Sequence, residues 1–316
     1  MTNKTLTAPC GLTLARATVP LRKTWRAGAA APLLIPRVFD FEQAEVEDLT
    51  ALGRLLTRLE DNPFVAVLRG AIADPARAKG VRRLTAPDPV AGEPATLVEA
   101  PRRWVALDLD NVPLPAGTDP RDLETCARHA ITLLPAAFRA VRCIAQGTAS
   151  HGIKPGARLR LWFWLSRPTS GAELQRWLAG FPVDPSCCRP AQLVFTARPE
   201  FVGSPDPIPC RLALLPGADA VECRRPARSD RHHYRHARRA PASRTMARGR
   251  WFGRRAASPP LPLSLSSGQH FPRRRKRGRP RKAHRLPSER SAGSTARRSR
   301  LEGCFGASEH FKRFAE

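Results

Sequence analysis

The sequence predicts an α+β domain followed by a strongly basic tail. Segment 42–60 repeats leucines at i, i+3 and i+4 as a helix does, whereas 159–165 alternates its side chains as a strand does. Residues 223–316 contain 27 Lys and Arg against 5 Asp and Glu, so they carry +22 of the net charge of +27. We therefore expect a loose N-terminal segment 1–35, a folded domain 36–222 and a disordered tail.

The elements of the domain follow from apolar periodicity and from the residues that interrupt it. The first helix ends at Asp61-Asn62-Pro63, because proline stops a helix. Residues 71–101 are rich in Pro, Ala and charge and are interpreted as an excursion. Strands are expected at 64–68, 104–110, 140–145, 159–165, 193–196 and 212–215, and further helices at 121–134 and 172–179.

Two acidic residues end the strand predicted at 104–110. Asp108 and Asp110 point to one face because side chains in a strand alternate, while Leu109 points into the core. Adjacent carboxylates repel each other and are commonly stabilised by a cation. Their hard oxygen ligands suit Mg²⁺ or Mn²⁺. The alternative is a plain surface turn, since Asn111 and two prolines follow.

The strand at 159–165 places arginines among tryptophans. Its alternation puts Arg158 and Arg160 on one face with Trp162 and Trp164, and the leucines on the other. An arginine inside so apolar a strand needs a partner, which is either a carboxylate or a phosphate.

Three parts of the chain resemble the archaeo-eukaryotic primase superfamily, specifically the primase-polymerase-like domains of plasmids and integrating mobile elements. The first is Leu-Asp-Leu-Asp at 107–110, similar to an acidic motif of that family. The second is Ser-His-Gly-Ile-Lys at 150–154 with the strand and proline of 158–168. The third is Val-Asp-Pro-Ser at 183–186 with Gln-Leu-Val-Phe-Thr-Ala-Arg-Pro at 192–199.

The resemblance covers roughly residues 40–220. It implies a primase-type core, in which an RNA-recognition-like antiparallel sheet with flanking helices carries a two-metal site that joins nucleotides on a template. Metal ligands would be Asp108, Asp110 and Asp184, holding Mg²⁺ or Mn²⁺. The incoming nucleoside triphosphate would be bound by Ser150, His151, Lys154, Arg158 and Arg160. Asp184 has a second interpretation as a turn residue, because Asp-Pro-Ser commonly starts a turn.

The second motif departs from the family pattern. Arg160 stands where a histidine is usual, and a guanidinium binds phosphate but does not transfer a proton. His151, further upstream, is either a substitute for that histidine or a surface loop residue. Lys154 either reaches a phosphate or is an ordinary solvated lysine. The alternative function is therefore a catalytically degenerate nucleic-acid-binding protein that assists replication or a mobile element.

The tail contains Arg277-Gly278-Arg279-Pro280, which resembles an AT-hook for the minor groove of A·T-rich DNA. Narrow A·T grooves attract arginine, and glycine permits close approach. The alternative is non-specific, salt-sensitive binding. Another interpretation of 223–316 is the out-of-frame translation of a GC-rich gene.

Other motifs are missing from the sequence. No G-x-x-x-x-G-K-[ST] occurs, so any helicase would be a separate protein or a lost downstream part. No run of 18 apolar residues occurs, so no membrane partner is expected. The expected partners are single-stranded or double-stranded DNA and nucleoside triphosphates, and the expected location is cytoplasmic.

Overall fold

The computed structural model describes residues 10–223, which contain three helices and fourteen strands. The first half comprises β1 Cys10–Arg16, β2 Thr24–Arg26, β3 Ala29–Ala30, β4 Val38–Val46, α1 Leu49–Glu60, β5 Val65–Leu68, β6 Ala71–Ile72, β7 Val81–Arg82 and β8 Leu97–Val98. The second half comprises β9 Arg102–Val112, α2 Leu123–Thr132, β10 Cys143–Gly147, β11 Ala157–Thr169, α3 Gly171–Trp177, β12 Val194–Phe195, β13 Glu200–Val202 and β14 Leu212–Leu215. The α+β class is confirmed.

Strand β1 lies at the centre of a five-stranded sheet of order β12-β5-β1-β4-β7. It pairs antiparallel with both β4 and β5. The prediction of a loose segment 1–35 is therefore wrong for residues 10–30, and the fold begins well before residue 36. Leu12 and Ala15 point to opposite faces of this sheet and are fully buried on both.

A second sheet has the order β14-β10-β11-β9 and is antiparallel throughout. Strands β9 and β10 flank β11 and are connected through α2, which makes a split β-α-β unit. The fourth strand, β14, lies beside β10, so β9 forms the other edge.

Both faces of this second sheet are buried. Leu161 and Phe163 of β11 pack on one face with α2 and α3, while Trp162 and Trp164 pack on the other with α1 and the five-stranded sheet. Sheets buried on both faces need nearly continuous apolar strands, which is the character of the sequence at 159–165. The predicted assignment of these side chains to the two faces is confirmed.

Helix α1 is shorter than predicted. Asp48 caps its N-terminus by accepting from the Ala51 amide at 2.7 Å. Its buried side chains are Leu49, Leu52, Leu55, Leu56 and Leu59. The expected start at residue 42 is wrong because residues 42–46 belong to strand β4. Phe39 and Phe41 of this strand are buried in the alternation typical of a strand.

The remaining strands form two small sheets. One has the order β13-β2-β3 and the other pairs β6 with β8, inside the excursion at 71–101. Within residues 10–223, no helix has the length and apolar character needed to cross a membrane. The tail, with Arg277-Gly278-Arg279-Pro280, lies outside the described residues.

Candidate active site

Strand β9 carries Asp108 and Asp110 and does not end at them. Asp108 lies directly opposite Arg160 of β11 in the antiparallel ladder. The register then shifts, because Leu109 pairs with Leu159 whereas Val112 pairs with Ala157. This shift is a β-bulge, a feature that is frequent next to functional sites.

The bulge contains Asp110 and Asn111. Asn111 has a φ of 58°, in the left-handed region that asparagine tolerates better than most residues. The alternative of a plain surface turn is wrong for Asp108, which lies inside the strand.

Arg160 is the partner of Asp108. Its Nη2 donates to Oδ2 of Asp108 at 3.0 Å, and its Nη1 donates to the carbonyl oxygen of Phe195 at 2.6 Å. The Arg160 side chain is only 9% exposed and that of Asp108 is 26% exposed. The sequence left open whether Arg160 pairs with a carboxylate or with a phosphate. In the structure its partner is the carboxylate of Asp108.

A second ion pair joins the same two strands across the bulge. Nη1 of Arg158 donates to Oδ1 of Asp110 at 3.1 Å. The Asp110 side chain is 66% exposed, so water screens this pair more than the first. The D-x-D of β9 thus meets the R-x-R of β11 in two successive ion pairs.

Asp184 contacts Asp108 through its backbone. Its amide donates to the carbonyl oxygen of Asp108 at 2.9 Å. Its carboxylate accepts from the amide and the hydroxyl of Ser186, at 2.8 and 2.7 Å, and so caps a short 3-10 turn. The structure therefore shows the turn role, and the metal role of Asp184 stays a prediction.

The loop between β10 and β11 holds the other predicted substrate-binding residues. His151 is fully buried, so its interpretation as a surface loop residue is wrong. Its Nδ1 accepts from the amide of Arg158 at 3.2 Å, and burial lowers the pKa of the imidazole. His151 is therefore a neutral residue that fixes the backbone of Arg158. Lys154 is exposed and Ser150 is buried.

Comparisons with protein-family models, with curated proteins and with solved structures find no match.

The two aspartates of β9 have oxygens suited to a divalent cation. Oδ1 of Asp108 is buried and meets no hydrogen-bond partner among residues 10–223. Mg²⁺ at nucleotide sites is commonly held by one or two carboxylates together with substrate phosphates, and Asp108 and Asp110 fit that donor set. Within the described part of the chain, no three His, Cys, Asp or Glu side chains are grouped so as to hold a metal ion.

Arg211 holds the start of the loop between β10 and β11 by hydrogen bonds. Its Nε and Nη2 each donate to one carboxylate oxygen of Asp206 at 2.7 Å, and its Nη1 donates to the carbonyl oxygen of Thr148 at 2.7 Å. The side chain is only 2% exposed. A buried arginine needs such partners, so this pair ties the segment after β13 to the loop that carries His151.

Two largely buried polar groups were not predicted from the sequence. Gln146 of β10 accepts from Nε1 of Trp162 at 3.2 Å and donates to the carbonyl oxygen of Thr196 at 3.0 Å. Glu60 ends α1, and burial raises its pKa to about 7 although Arg198 opposes the shift. For Gln146 the sequence offered one signal, a glutamine inside the apolar run Cys-Ile-Ala-Gln-Gly.

Proposed function

We propose that this domain is a primase/polymerase-type nucleotidyltransferase of a plasmid or mobile element, which adds nucleotides on a DNA template with Mg²⁺ or Mn²⁺. One observation carries the proposal: Arg160 bonds both Asp108 and Phe195, while Asp184 bonds the backbone of Asp108. Segments that are distant in sequence, and that the family resemblance links, thus meet within hydrogen-bond distance.

The roles follow from the chemistry of the side chains. Asp108 and Asp110 would hold the divalent cation, which offsets charge on the reacting phosphate and lowers the pKa of the attacking 3′ hydroxyl. Arg158, Arg160 and Lys154 would bind the triphosphate, because guanidinium and ammonium groups pair with phosphate oxygens. A separately encoded helicase and a cytoplasmic location belong to the same proposal.

A second candidate is a degenerate relative that binds nucleic acid without catalysis. The observation favouring it is that Asp108 and Asp110 already have arginine partners and that the Asp184 carboxylate caps a turn. Under this alternative the ion pairs are structural and the D-x-D binds no cation.

Primer extension and synthesis on a single-stranded DNA template distinguish the two candidates. Wild type with Mg²⁺ or Mn²⁺ and a mixture of ribonucleoside and deoxyribonucleoside triphosphates is expected to give product. The Asp108→Ala/Asp110→Ala variant is expected to give none. Asp119→Ala is the matched control, because Asp119 also pairs with an arginine, Arg121, and is exposed. Equal product from wild type and the double variant would reject the enzyme and leave the binding protein.

A further inference from the structure

Each aspartate of the D-x-D has an arginine partner on β11, at 3.0 Å for Asp108 and 3.1 Å for Asp110. From this pairing we infer, on the basis of the proposed function, that Arg158 and Arg160 make the binding of the cation and of the triphosphate mutually dependent. The arginines occupy the carboxylates in the free protein and turn to the phosphates when both ligands are present.

The argument is one of charge balance. Two aspartates and two arginines form a site of zero formal charge. A divalent cation alone competes with guanidinium groups for the carboxylates, and a triphosphate alone competes with carboxylates for the guanidinium groups. When both ligands bind, the carboxylates face the cation and the arginines face the phosphates, so each ligand relieves the competition that the other meets.

The two arginines differ in their freedom to exchange partners. Arg160 is held at a second point by the carbonyl oxygen of Phe195. Arg158 is 18% exposed, its partner Asp110 lies in the bulge, and its Nε meets no hydrogen-bond partner among the described residues. Replacing Arg158 therefore tests the exchange without leaving a buried carboxylate unpaired, because its partner Asp110 is 66% exposed.

The test measures Mn²⁺ binding to the full chain by calorimetry and electron paramagnetic resonance, with and without a non-hydrolysable dATP analogue. Mn²⁺ bound directly to the analogue is measured separately and subtracted. The variants are Arg158→Gln, which removes the charge, and Arg158→Lys, which keeps it. Arg128→Gln is the matched control, since Arg128 pairs with Glu124 on the exposed side of α2.

Arg158→Gln is expected to bind Mn²⁺ alone roughly threefold more tightly than wild type, as fits the loss of one partly exposed ion pair. The gain in Mn²⁺ affinity on adding the analogue should fall at least threefold. Arg128→Gln should behave as wild type, whereas Arg158→Lys, which keeps the charge, should retain part of the gain in Mn²⁺ affinity that Arg158→Gln loses. Circular dichroism verifies that each variant is folded.

Unchanged or weaker Mn²⁺ binding by Arg158→Gln overturns the inference. The proposed function survives that result if Asp108→Asn/Asp110→Asn still abolishes Mn²⁺ binding. If instead wild type and this double variant bind Mn²⁺ equally, or neither binds it with the analogue present, the proposed function and the inference both fail.

Discussion

Asp108 on β9 and Arg160 on β11 face each other across one rung of the four-stranded sheet, with Oδ2 and Nη2 3.0 Å apart. This pair explains how an arginine lies in a buried, tryptophan-rich strand, because its charge is matched by a carboxylate and a backbone carbonyl. It also fixes the candidate carboxylate in place, whatever the site binds.

Removing one partner of this pair should destabilise the protein. Arg160→Leu is expected to lower the free energy of unfolding by about 2 to 3 kcal/mol, because Asp108 loses its partner in a largely buried place. Arg128→Ala, at an exposed pair with Glu124, should cost less than about 0.5 kcal/mol. Urea denaturation measures both. Equal losses would mean that the Asp108–Arg160 pair is no more important than a surface pair.

The bulge on β9 depends on the left-handed backbone of Asn111. Asn111→Ala should lower the free energy of unfolding by about 1 kcal/mol, because alanine is strained at a φ of 58°. Asn111→Gly should cost little, since glycine adopts positive φ freely. Thermal unfolding compares the two variants. A larger loss for glycine than for alanine would show that the asparagine side chain, and not its φ, matters.

Glu60 should make stability fall as pH rises. Its pKa is about 7 in the folded protein against 4.5 for the ordinary group, mainly because it is buried. The folded state therefore holds the proton more tightly, so this stability is complete below about pH 4.5 and is lost as pH rises to about 7. The loss is at most on the order of 3 kcal/mol. Glu60→Gln should remove it, as shown by melting temperatures across this range.

His151 should change the pH dependence of stability in the opposite direction to Glu60. Burial lowers its pKa below the ordinary 6.5, so the unfolded chain takes up a proton first as pH falls. Its contribution to stability is present above about pH 6.5 and is lost below it. In a Glu60→Gln background, His151→Asn should flatten the remaining acid slope, because asparagine does not titrate. Nuclear magnetic resonance titration of the imidazole provides the direct measurement; a pKa of 6.5 or above would contradict the prediction.

The basic tail should dominate non-specific DNA binding. Residues 223–316 carry +22 of the net charge, and each phosphate that they neutralise releases counterions. Deleting 224–316 should therefore flatten the plot of log affinity against log salt concentration by about 0.9 for each lost contact with duplex phosphate. Fluorescence anisotropy with a duplex of random sequence measures the slope. An unchanged slope would exclude the tail from the interface.

Several features were determined by the sequence alone. The strand at 159–165 and its two faces follow from alternation, which is a local property of an extended chain. Strand 212–215 was predicted with its observed bounds, because a turn residue follows it closely. The predicted bounds of the first helix were right at the C-terminal end, where proline and Asp61 act locally, and wrong at the start.

Only the tertiary structure decided which strands meet. It placed Cys10–Arg16 at the centre of a sheet, set β9 against β11, and gave Arg160 a carboxylate partner. It also made Asp184 a turn cap beside the backbone of Asp108. These outcomes depend on register and on contacts between residues far apart in the chain, which local periodicity does not encode. The sequence thus determined which residues carry the charge, and long-range packing decided which opposite charge each one meets.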